Sequence, residues 1–213
     1  MVTIAGNGMG DYDFSNLELN FCNYDKIICD PNFIENGRTI LKLKFKDAQD
    51  YILKNYGIEN LLYVVTGSPL FYSAGTIIAN KLPKNEVKLI NNISSKTYLL
   101  EKLFISENDV SVVSIHGRIS IDLEEFLKKK YTFVLCDKNS ITRLNEALNF
   151  FDKNSITTFI GYKLGYKDEI IQEIDIFDFD EKRLDLNQAF VLLIKRNFEH
   201  KSAICEDIEF ETQ

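Results

Sequence analysis

The sequence is poor in the residues that often mark a specialised class of protein. Of its 213 residues none is Trp, three are Pro, two are Met and two are His. Its four cysteines include no Cys-x-x-Cys pair, so neither a zinc site nor a disulfide framework is expected. No apolar run reaches the ~18 residues that a membrane-spanning helix needs. We therefore expect a cytoplasmic protein with no metal ion and no membrane partner.

The charge balance is acidic, with 25 Lys and Arg against 32 Asp and Glu and a net charge of −7. A nucleic-acid-binding protein needs an excess of basic residues to neutralise phosphates, so we expect no nucleic-acid partner. A small anionic ligand remains compatible with this charge, because a local basic cleft can exist on an acidic protein. Hydrophobic residues make up 45% of the chain, which is enough for a folded core.

Apolar strands alternate with amphipathic helices along the chain. Strands are predicted over residues 1–5, 26–29, 61–65, 87–90, 110–115, 132–136, 157–160 and 190–194, and helices over 47–56, 73–82, 94–103, 123–130 and 140–151. This order predicts an α/β fold with a largely parallel sheet in the first half. Alternation over 170–177 indicates hairpins, and hence a more antiparallel second half. We place a domain boundary near Arg118 to Asp122, which gives domains 1–118 and 119–213.

Small or polar residues directly follow six of these predicted strands. They are Gly6, Gly67, residues 91–95, residues 116–118, Asp137 and Gly161. In open α/β sheets ligands bind beyond the carboxyl ends of the strands, where loops converge and helix N-termini offer free N–H donors. The pattern therefore predicts a ligand cleft at that edge of the sheet, with ordinary turn formation as the alternative.

The glycine run Gly-Asn-Gly-Met-Gly occupies residues 6–10, directly after the first strand. A dinucleotide fingerprint would need Gly-x-Gly-x-x-Gly opening an apolar helix, and the residues after Asp11 do not open one. We interpret the run as backbone left open for the close approach of a flat or bulky ligand.

Two further positions have both a functional and a structural interpretation. Arg118 could grip a carboxylate in a bidentate fashion or form a surface ion pair, and His116 could carry a proton or serve structure. Cys136 ends a strand and is better interpreted as a buried small hydrophobic residue than as a nucleophile. No motif for a covalent nucleophile occurs in the sequence.

Three motifs together resemble those of the tetrapyrrole methylases, which use S-adenosylmethionine. Residues 4–10 resemble the N-terminal glycine loop of that family, with Met9 where proline is usual. The run Thr-Gly-Ser-Pro-Leu-Phe-Tyr at 66–72 resembles the family's Gly-Asp-Pro loop, with Ser68 in place of the aspartate. Residues 93–95 resemble its Ser-Ser motif.

Three features are most similar to the group within that family that methylates C5 of precorrin-7 or cobalt-precorrin-7 in cobalamin biosynthesis. The first is the Pro-Leu-Phe-Tyr stretch at 69–72, which is similar to the loop of that group. Residues 113–118 resemble its Ser-Leu-His-Gly-Arg segment. Residues 163–169 resemble its Leu-Gly-x-x-x-Glu stretch, with Tyr162 where a glutamate often precedes it. The resemblance covers Val2 to about Arg196. Alternatives are a related methylase acting on another tetrapyrrole position or another substrate, and a non-catalytic protein that binds S-adenosylmethionine.

The resemblance implies a homodimer of two-domain α/β subunits, with a mostly parallel N-terminal sheet, a mixed C-terminal sheet and the cofactor in the cleft between the domains. It implies an anionic tetrapyrrole substrate and leaves open a separate partner for C15 methylation and decarboxylation. The residues implied to contact S-adenosylmethionine are Thr66, Gly67, Ser68, Phe71, Ser94, Ser95, Cys136, Asp137, Tyr162 and Ala189. Those implied to face the substrate are Gly6, Gly8, Met9, Gly10, His116 and Arg118, with Lys96 or Lys163 as further cations for its acidic arms.

Overall fold

The structure, a computed structural model, describes residues 1–34, 40–115, 128–137, 140–149, 151–179 and 190–197. The chain divides into two compact units, the first made of residues 1–108 and 160–172 and the second of 109–159 and 173–213. This division differs from the predicted 118/119 boundary in two ways. The strand after Asn108 pairs with the second sheet, and a segment from the second half of the chain joins the first unit.

The first unit contains a five-stranded parallel sheet in the order β3-β2-β4-β1-β5. Its strands are β1 (Val2–Gly6), β2 (Lys26–Cys29), β3 (Ile40–Lys42), β4 (Leu61–Val65) and β5 (Val87–Ile90). The prediction of a parallel first sheet is confirmed. The three-residue strand β3 was not predicted, because so short a run carries no usable periodicity.

Three helices accompany this sheet: α1 (Phe45–Asn55), α2 (Ala74–Ala79) and α3 (Ser95–Lys102). Asp47, the predicted cap of α1, lies inside its first turn, where a carboxylate complements the helix dipole, and the capping residue is Lys44. The α2 helix ends earlier than predicted, and its cap Ser73 accepts a hydrogen bond from the amide of Gly75.

Side chains alternate between the two faces of the central strand β4. Leu61, Tyr63 and Val65 pack with Ile52 of α1 in one core cluster. The intervening Leu62 and Val64 pack in a second cluster that includes two phenylalanines from the loops, Phe14 and Phe33. All five residues of β4 are buried, as expected for a central strand covered on both faces.

The second sheet has the order β6-β7-β10-β8-β9 and mixes strand directions. Its strands are β6 (Val110–Ser114), β7 (Tyr131–Cys136), β8 (Ile156–Tyr162), β9 (Ile170–Ile174) and β10 (Phe190–Arg196), and helix α4 is Ser140–Leu148. β6 and β7 are parallel whereas β7 and β10 are antiparallel, which confirms the predicted mixed sheet. The predicted stop at Gly161 is wrong, because β8 continues through that residue to Tyr162. The predicted helix at 123–130 falls mostly outside the described residues.

Within the described ranges, no helix is long and apolar enough to cross a membrane. The same residues contain no cluster of three or more side chains able to ligate a metal ion. Cys29 and Cys136 are both buried, Cys29 within an apolar cluster, whereas Cys22 is exposed.

Candidate active site at the carboxyl edge of the first sheet

The loops after β1 and β4 are joined by backbone hydrogen bonds. The amide of Asn7 donates to the Val65 carbonyl at 2.8 Å, and Gly8 and Gly67 exchange two N–H···O bonds of 3.1 and 2.9 Å. These bonds form a short antiparallel bridge beyond the ends of two parallel strands. Since β1 lies between β4 and β5, the loops after all three strands meet at one edge, the place where open α/β sheets bind ligands.

An asparagine side chain ties the loop after β5 to the loop after β1. The Nδ2 group of Asn92 donates to the carbonyl oxygens of Gly6 at 3.0 Å and Asn16 at 3.3 Å. Its Oδ1 atom accepts from the amide of Ile93 at 2.8 Å. One half-buried side chain therefore satisfies three backbone groups and holds two loops in register.

A serine ties the loop after β4 to the loop after β5. The Ser68 hydroxyl donates to Oδ1 of Asn91 at 2.6 Å and accepts from the amide of Leu70 at 3.0 Å. Only 5% of Ser68 is exposed, and its single donor is already used. Ser68 therefore has a structural role in joining the loops, and its predicted contact with a cofactor stays a prediction.

The glycine run is explained by close packing between these loops. A Cβ atom on Gly6 would lie 2.3 Å from the Gly67 carbonyl oxygen, one on Gly8 would lie 2.9 Å from Oδ1 of Asn92, and one on Gly10 would lie 2.9 Å from the Gly165 carbonyl oxygen. The protein itself thus fills the space on the side-chain face of each glycine, contrary to the expectation that the run leaves this space open. Contact between Gly6, Gly8, Met9 or Gly10 and a substrate stays a prediction.

Helix α3 begins at the Ser-Ser motif. Ser94 is the cap, since its hydroxyl accepts from the amide of Thr97 at 3.1 Å and only 6% of the residue is exposed. Ser95 is the first helical residue and is half-buried. The first amides of a helix have no acceptor within it, and with the helix dipole they favour an anionic group.

The loop after β4 carries three more of the predicted cofactor residues. Thr66 is exposed directly after the strand, and Gly67 has a φ of +62°, a left-handed conformation that favours glycine. The Phe71 ring is half-buried and packs edge-on against Tyr72, with 5.0 Å between ring centroids.

The predicted residues Cys136 and Asp137 lie in the second unit. Cys136 is fully buried, and this burial raises the pKa of its thiol well above the ordinary range, which keeps it protonated and unreactive. The carboxylate of Asp137 accepts from the Ser140 hydroxyl at 3.1 Å and pairs with the guanidinium of Arg143. Both residues are thus accounted for locally, and their contact with a cofactor stays a prediction.

Three predicted site residues, His116, Arg118 and Ala189, lie outside the described residues. Tyr162 belongs to the part of β8 that joins the first unit and is 5% exposed. The two predicted lysines already have acidic partners, because Lys96 lies 3.2 Å from the carboxylate of Glu107 and Lys163 pairs with Asp168.

Sequence reasoning missed Asn7. This residue is 1% exposed, and its Nδ2 group donates to the Asp11 carbonyl at 2.9 Å, which fixes the orientation of the amide. Within the described residues its buried Oδ1 atom has no hydrogen-bond partner. Buried polar atoms are nearly always paired, so this one is an acceptor that still lacks a donor. The available signal was a polar residue between two glycines at the end of a buried strand.

Comparison with known proteins gives a clear result for the fold. No protein-family model matches the sequence, and the curated proteins contain no significant match. The precorrin-6Y methylase of cobalamin biosynthesis from Archaeoglobus fulgidus is similar in structure, with a TM-score of 0.63 and 17% identity over 92% of this chain and 98% of that one. Uroporphyrin-III C-methyltransferase from Thermus thermophilus, solved with S-adenosylhomocysteine, has a TM-score of 0.67 and 14% identity over 91% and 96%.

A diphthine synthase is similar to a comparable degree, with a TM-score of 0.68 and 9% identity over 92% of this chain and 89% of that one. At these identities the likeness establishes the fold of this chain, which is the two-domain α/β fold of these methyltransferases. One fold therefore serves enzymes as different as a uroporphyrin-III C-methyltransferase and a diphthine synthase, and the substrate has to be argued from the site itself.

Proposed function

We propose that this protein is an S-adenosylmethionine-dependent methyltransferase of cobalamin biosynthesis that acts on an anionic tetrapyrrole. The observation that carries the proposal is the meeting of three loops, after β1, β4 and β5, at the carboxyl edge of the parallel sheet. These loops contain the glycine run, the Thr-Gly-Ser-Pro run and the Ser-Ser motif. Their similarity to the methylase motifs and the shared fold support the same assignment.

The donor set at this edge fits the proposed cofactor. The cofactor has a carboxylate, which suits the first amides and the hydroxyl of Ser95 at the start of α3. It also has hydroxyl and amino donors, which suit an acceptor such as the exposed Thr66 or the unpaired Oδ1 of Asn7. When bound, S-adenosylmethionine supplies a methyl group that its sulfonium has already made electrophilic.

The protein's own contribution is then to bind, orient and exclude water. A covalent nucleophile is unnecessary, and the buried, protonated thiol of Cys136 is unsuited to be one. Well-oriented reactants gain about 7–11 kcal/mol over free ones, so alignment by the loops can supply most of the rate enhancement. The hydrogen bonds of Asn92 and Ser68 provide that alignment by making the loops stiff.

The finer proposal is that the methyl group is transferred to C5 of precorrin-7 or cobalt-precorrin-7, by a homodimer. The similarity of residues 113–118 and 163–169 to that group supports it. The turn at 163–169 packs against Gly10 in the predicted substrate loop, which is the arrangement expected if both segments serve one substrate. A separate enzyme would then complete C15 methylation and decarboxylation.

A second candidate is methyl transfer to a different acceptor. The diphthine synthase likeness favours keeping a protein acceptor under test, whereas the net charge of −7 argues against RNA. A third candidate, binding without catalysis, is motivated by Ser68 in place of the family's aspartate.

The test is incubation of the purified protein with methyl-labelled S-adenosylmethionine and each acceptor in turn, followed by mass spectrometry. We expect one labelled methyl group on precorrin-7 or its cobalt form, and none on other precorrins or on a diphthine precursor protein. Label on another tetrapyrrole would overturn the C5 assignment but would still support a tetrapyrrole methyltransferase. Label on the protein acceptor alone would overturn the tetrapyrrole assignment, and cofactor binding with no transfer would favour the non-catalytic alternative.

A further inference from the structure

The turn between β8 and β9, residues 163–169, lies directly on the glycine run within the first unit. A Cβ on Gly165 would be 2.6 Å from the backbone nitrogen of Gly10, and one on Gly10 would be 2.9 Å from the Gly165 carbonyl oxygen. Both glycines have positive φ values, +84° and +103°. The two backbones therefore touch without intervening side chains, and any movement of Gly165 displaces Gly10.

Aromatic packing holds the same turn on its other side. The ring of Tyr166 lies 5.9 Å from that of Tyr12, and Tyr12 packs edge-on against Phe33 with 5.1 Å between centroids. Burial, and then a hydrogen bond to Tyr12, raise the pKa of Tyr166, which keeps its hydroxyl protonated at neutral pH. The turn thus contacts the loop after β1 at two residues, Gly10 and Tyr12.

Glu169 connects this turn to helix α3. Its Oε2 atom accepts from the amide of Gly165 at 2.6 Å. Burial, and then the interaction with Glu169, raise the pKa of the Tyr98 hydroxyl of α3, and the Nζ atom of Lys102 lies 5.1 Å from the centre of the Tyr98 ring. A continuous series of contacts therefore runs from α3, whose first residues form the Ser-Ser motif, through Tyr98, Glu169 and Gly165 to Gly10.

We propose that Glu169 is a positioning residue that sets the Met9–Gly10 backbone against α3 and thereby controls the binding of the tetrapyrrole more than that of the cofactor. The inference rests on the proposed function for its choice of ligands, but its structural part is independent of that function. Glu169 acts through Gly165, and the turn itself supplies no group to the methyl transfer.

The chemistry of the contact favours a carboxylate. The Gly165 amide donates to Glu169, the Tyr98 hydroxyl lies within its electrostatic reach, and an ionised carboxylate accepts from two donors at once. A glutamine at this position would accept from the Gly165 amide and donate to the Tyr98 hydroxyl, which can also accept, but both contacts would lose the negative charge. Glu169→Gln therefore weakens both contacts with almost no change in shape, and Tyr98→Phe removes one of them from the opposite side.

The first experiment uses amide hydrogen exchange on the ligand-free protein. We expect Glu169→Gln to increase exchange about tenfold, the factor for replacing a charge-assisted hydrogen bond by a neutral one, in peptides covering both 6–12 and 163–169. Glu173→Gln is the matched control, since it removes an exposed carboxylate from the adjoining strand and should change neither peptide. Faster exchange confined to 163–169 would overturn the proposal, because Glu169 would then stabilise only its own turn.

The second experiment compares the two ligands. Calorimetric titration of S-adenosylhomocysteine into Glu169→Gln should give a Kd within about threefold of wild type, while the KM for the tetrapyrrole rises about tenfold. Tyr98→Phe should act in the same direction, and the double variant should be less affected than the product of the two single effects. Equal loss of both ligands would indicate a general structural defect and reject the positioning role. A wild-type protein that binds neither ligand would reject the proposed function, and the exchange result would still decide whether Glu169 controls the glycine run.

Discussion

In both sheets a small or polar residue stands at the end of a buried strand, but the two residues have different surroundings. Gly6 ends a buried strand and Asp137 follows one, and within the described residues Gly6 belongs to a cluster of interlocked loops whereas Asp137 is hydrogen-bonded locally, to Ser140. In the parallel sheet the carboxyl ends of β4, β1 and β5 lie side by side, so their loops can bond to one another. In the mixed sheet β7 runs antiparallel to β10, and Asp137 bonds instead within its own loop and to α4. Strand direction, more than loop composition, decides where a shared site can form.

The largest expected effect comes from filling the space at Gly6. Gly6→Ala would place a methyl group 2.3 Å from the Gly67 carbonyl oxygen and 2.7 Å from the Pro69 ring, and that carbonyl oxygen accepts one of the two bonds of the loop bridge. We expect a loss of about 3 kcal/mol or more in the free energy of unfolding, measured with urea. Gly57→Ala is the control, because its φ of +74° gives strain of about 1–2 kcal/mol while nothing lies within 4 Å of the new methyl group. A smaller loss at Gly6 than at Gly57 would show that the loops are not interlocked.

Substitution of each of the two serines at the start of α3 should have a different effect, one on stability and the other on cofactor binding. Ser94→Ala removes the helix cap and should lower the free energy of unfolding by about 1 kcal/mol. Ser95→Ala should leave stability nearly unchanged but weaken S-adenosylhomocysteine about tenfold in calorimetry, which corresponds to about 1.4 kcal/mol for one lost hydrogen bond to a charged group. Ser106→Ala, at an exposed serine beyond α3, provides the control. Unchanged affinity in Ser95→Ala would move the proposed cofactor away from this helix.

Arg118 lies outside the described residues, and its predicted role can be tested by the same comparison of ligands. Arg118→Ala should weaken tetrapyrrole binding about tenfold, as expected for a lost charge-assisted pair with a carboxylate arm, and leave S-adenosylhomocysteine affinity within about twofold. Calorimetry with each ligand measures both. Equal losses for the two ligands would reject Arg118 as a substrate contact.

The smallest expected effect concerns the core beneath the interlocked loops. Burial, with smaller contributions from Asp30 and Cys29, raises the pKa of Tyr63 to about 12. Because the folded pKa is above the unfolded value of about 10, the stabilisation is complete below pH 10 and is lost as the pH rises towards 12. By pH 11 the wild type should therefore have lost about 1 kcal/mol of stability more than Tyr63→Phe, measured by urea unfolding at pH 8 and pH 11. Tyr24→Phe serves as the control, and equal alkaline losses in wild type and Tyr63→Phe would contradict a buried hydroxyl.

Much of the fold could be predicted because its strands are continuous apolar runs that stop at glycine or polar residues. β2 and β5 have the predicted bounds, and the parallel and mixed sheets follow from the order of the elements. The errors have physical causes. β3 is too short to show a period, Gly161 is tolerated within β8, and the pairing of β6 with the second sheet is a long-range contact that local pattern cannot reveal.

The candidate site was predicted less completely than the fold. Three of the six loops predicted to converge, those after β1, β4 and β5, do lie together, and Ser94 is the cap of α3 as one of the two predicted alternatives. The bonds that join the loops involve side chains remote in sequence, such as Asn92 with Gly6 and Ser68 with Asn91, and no local motif indicates them. The run of glycines was predicted to leave space for a ligand, but protein atoms fill that space. Glycine is needed at both open and tightly packed backbone, so the sequence alone does not distinguish the two.

Hydrogen exchange of the wild-type protein with and without S-adenosylhomocysteine tests the central claim most directly. If the loops at the carboxyl edge of the first sheet hold the cofactor, peptides covering 66–73 and 91–97 will gain protection. The peptide 6–12, which contains the glycine run, will also gain protection, because that run is hydrogen-bonded to both loops. Absence of binding, or protection that leaves these three peptides unchanged, would contradict the account.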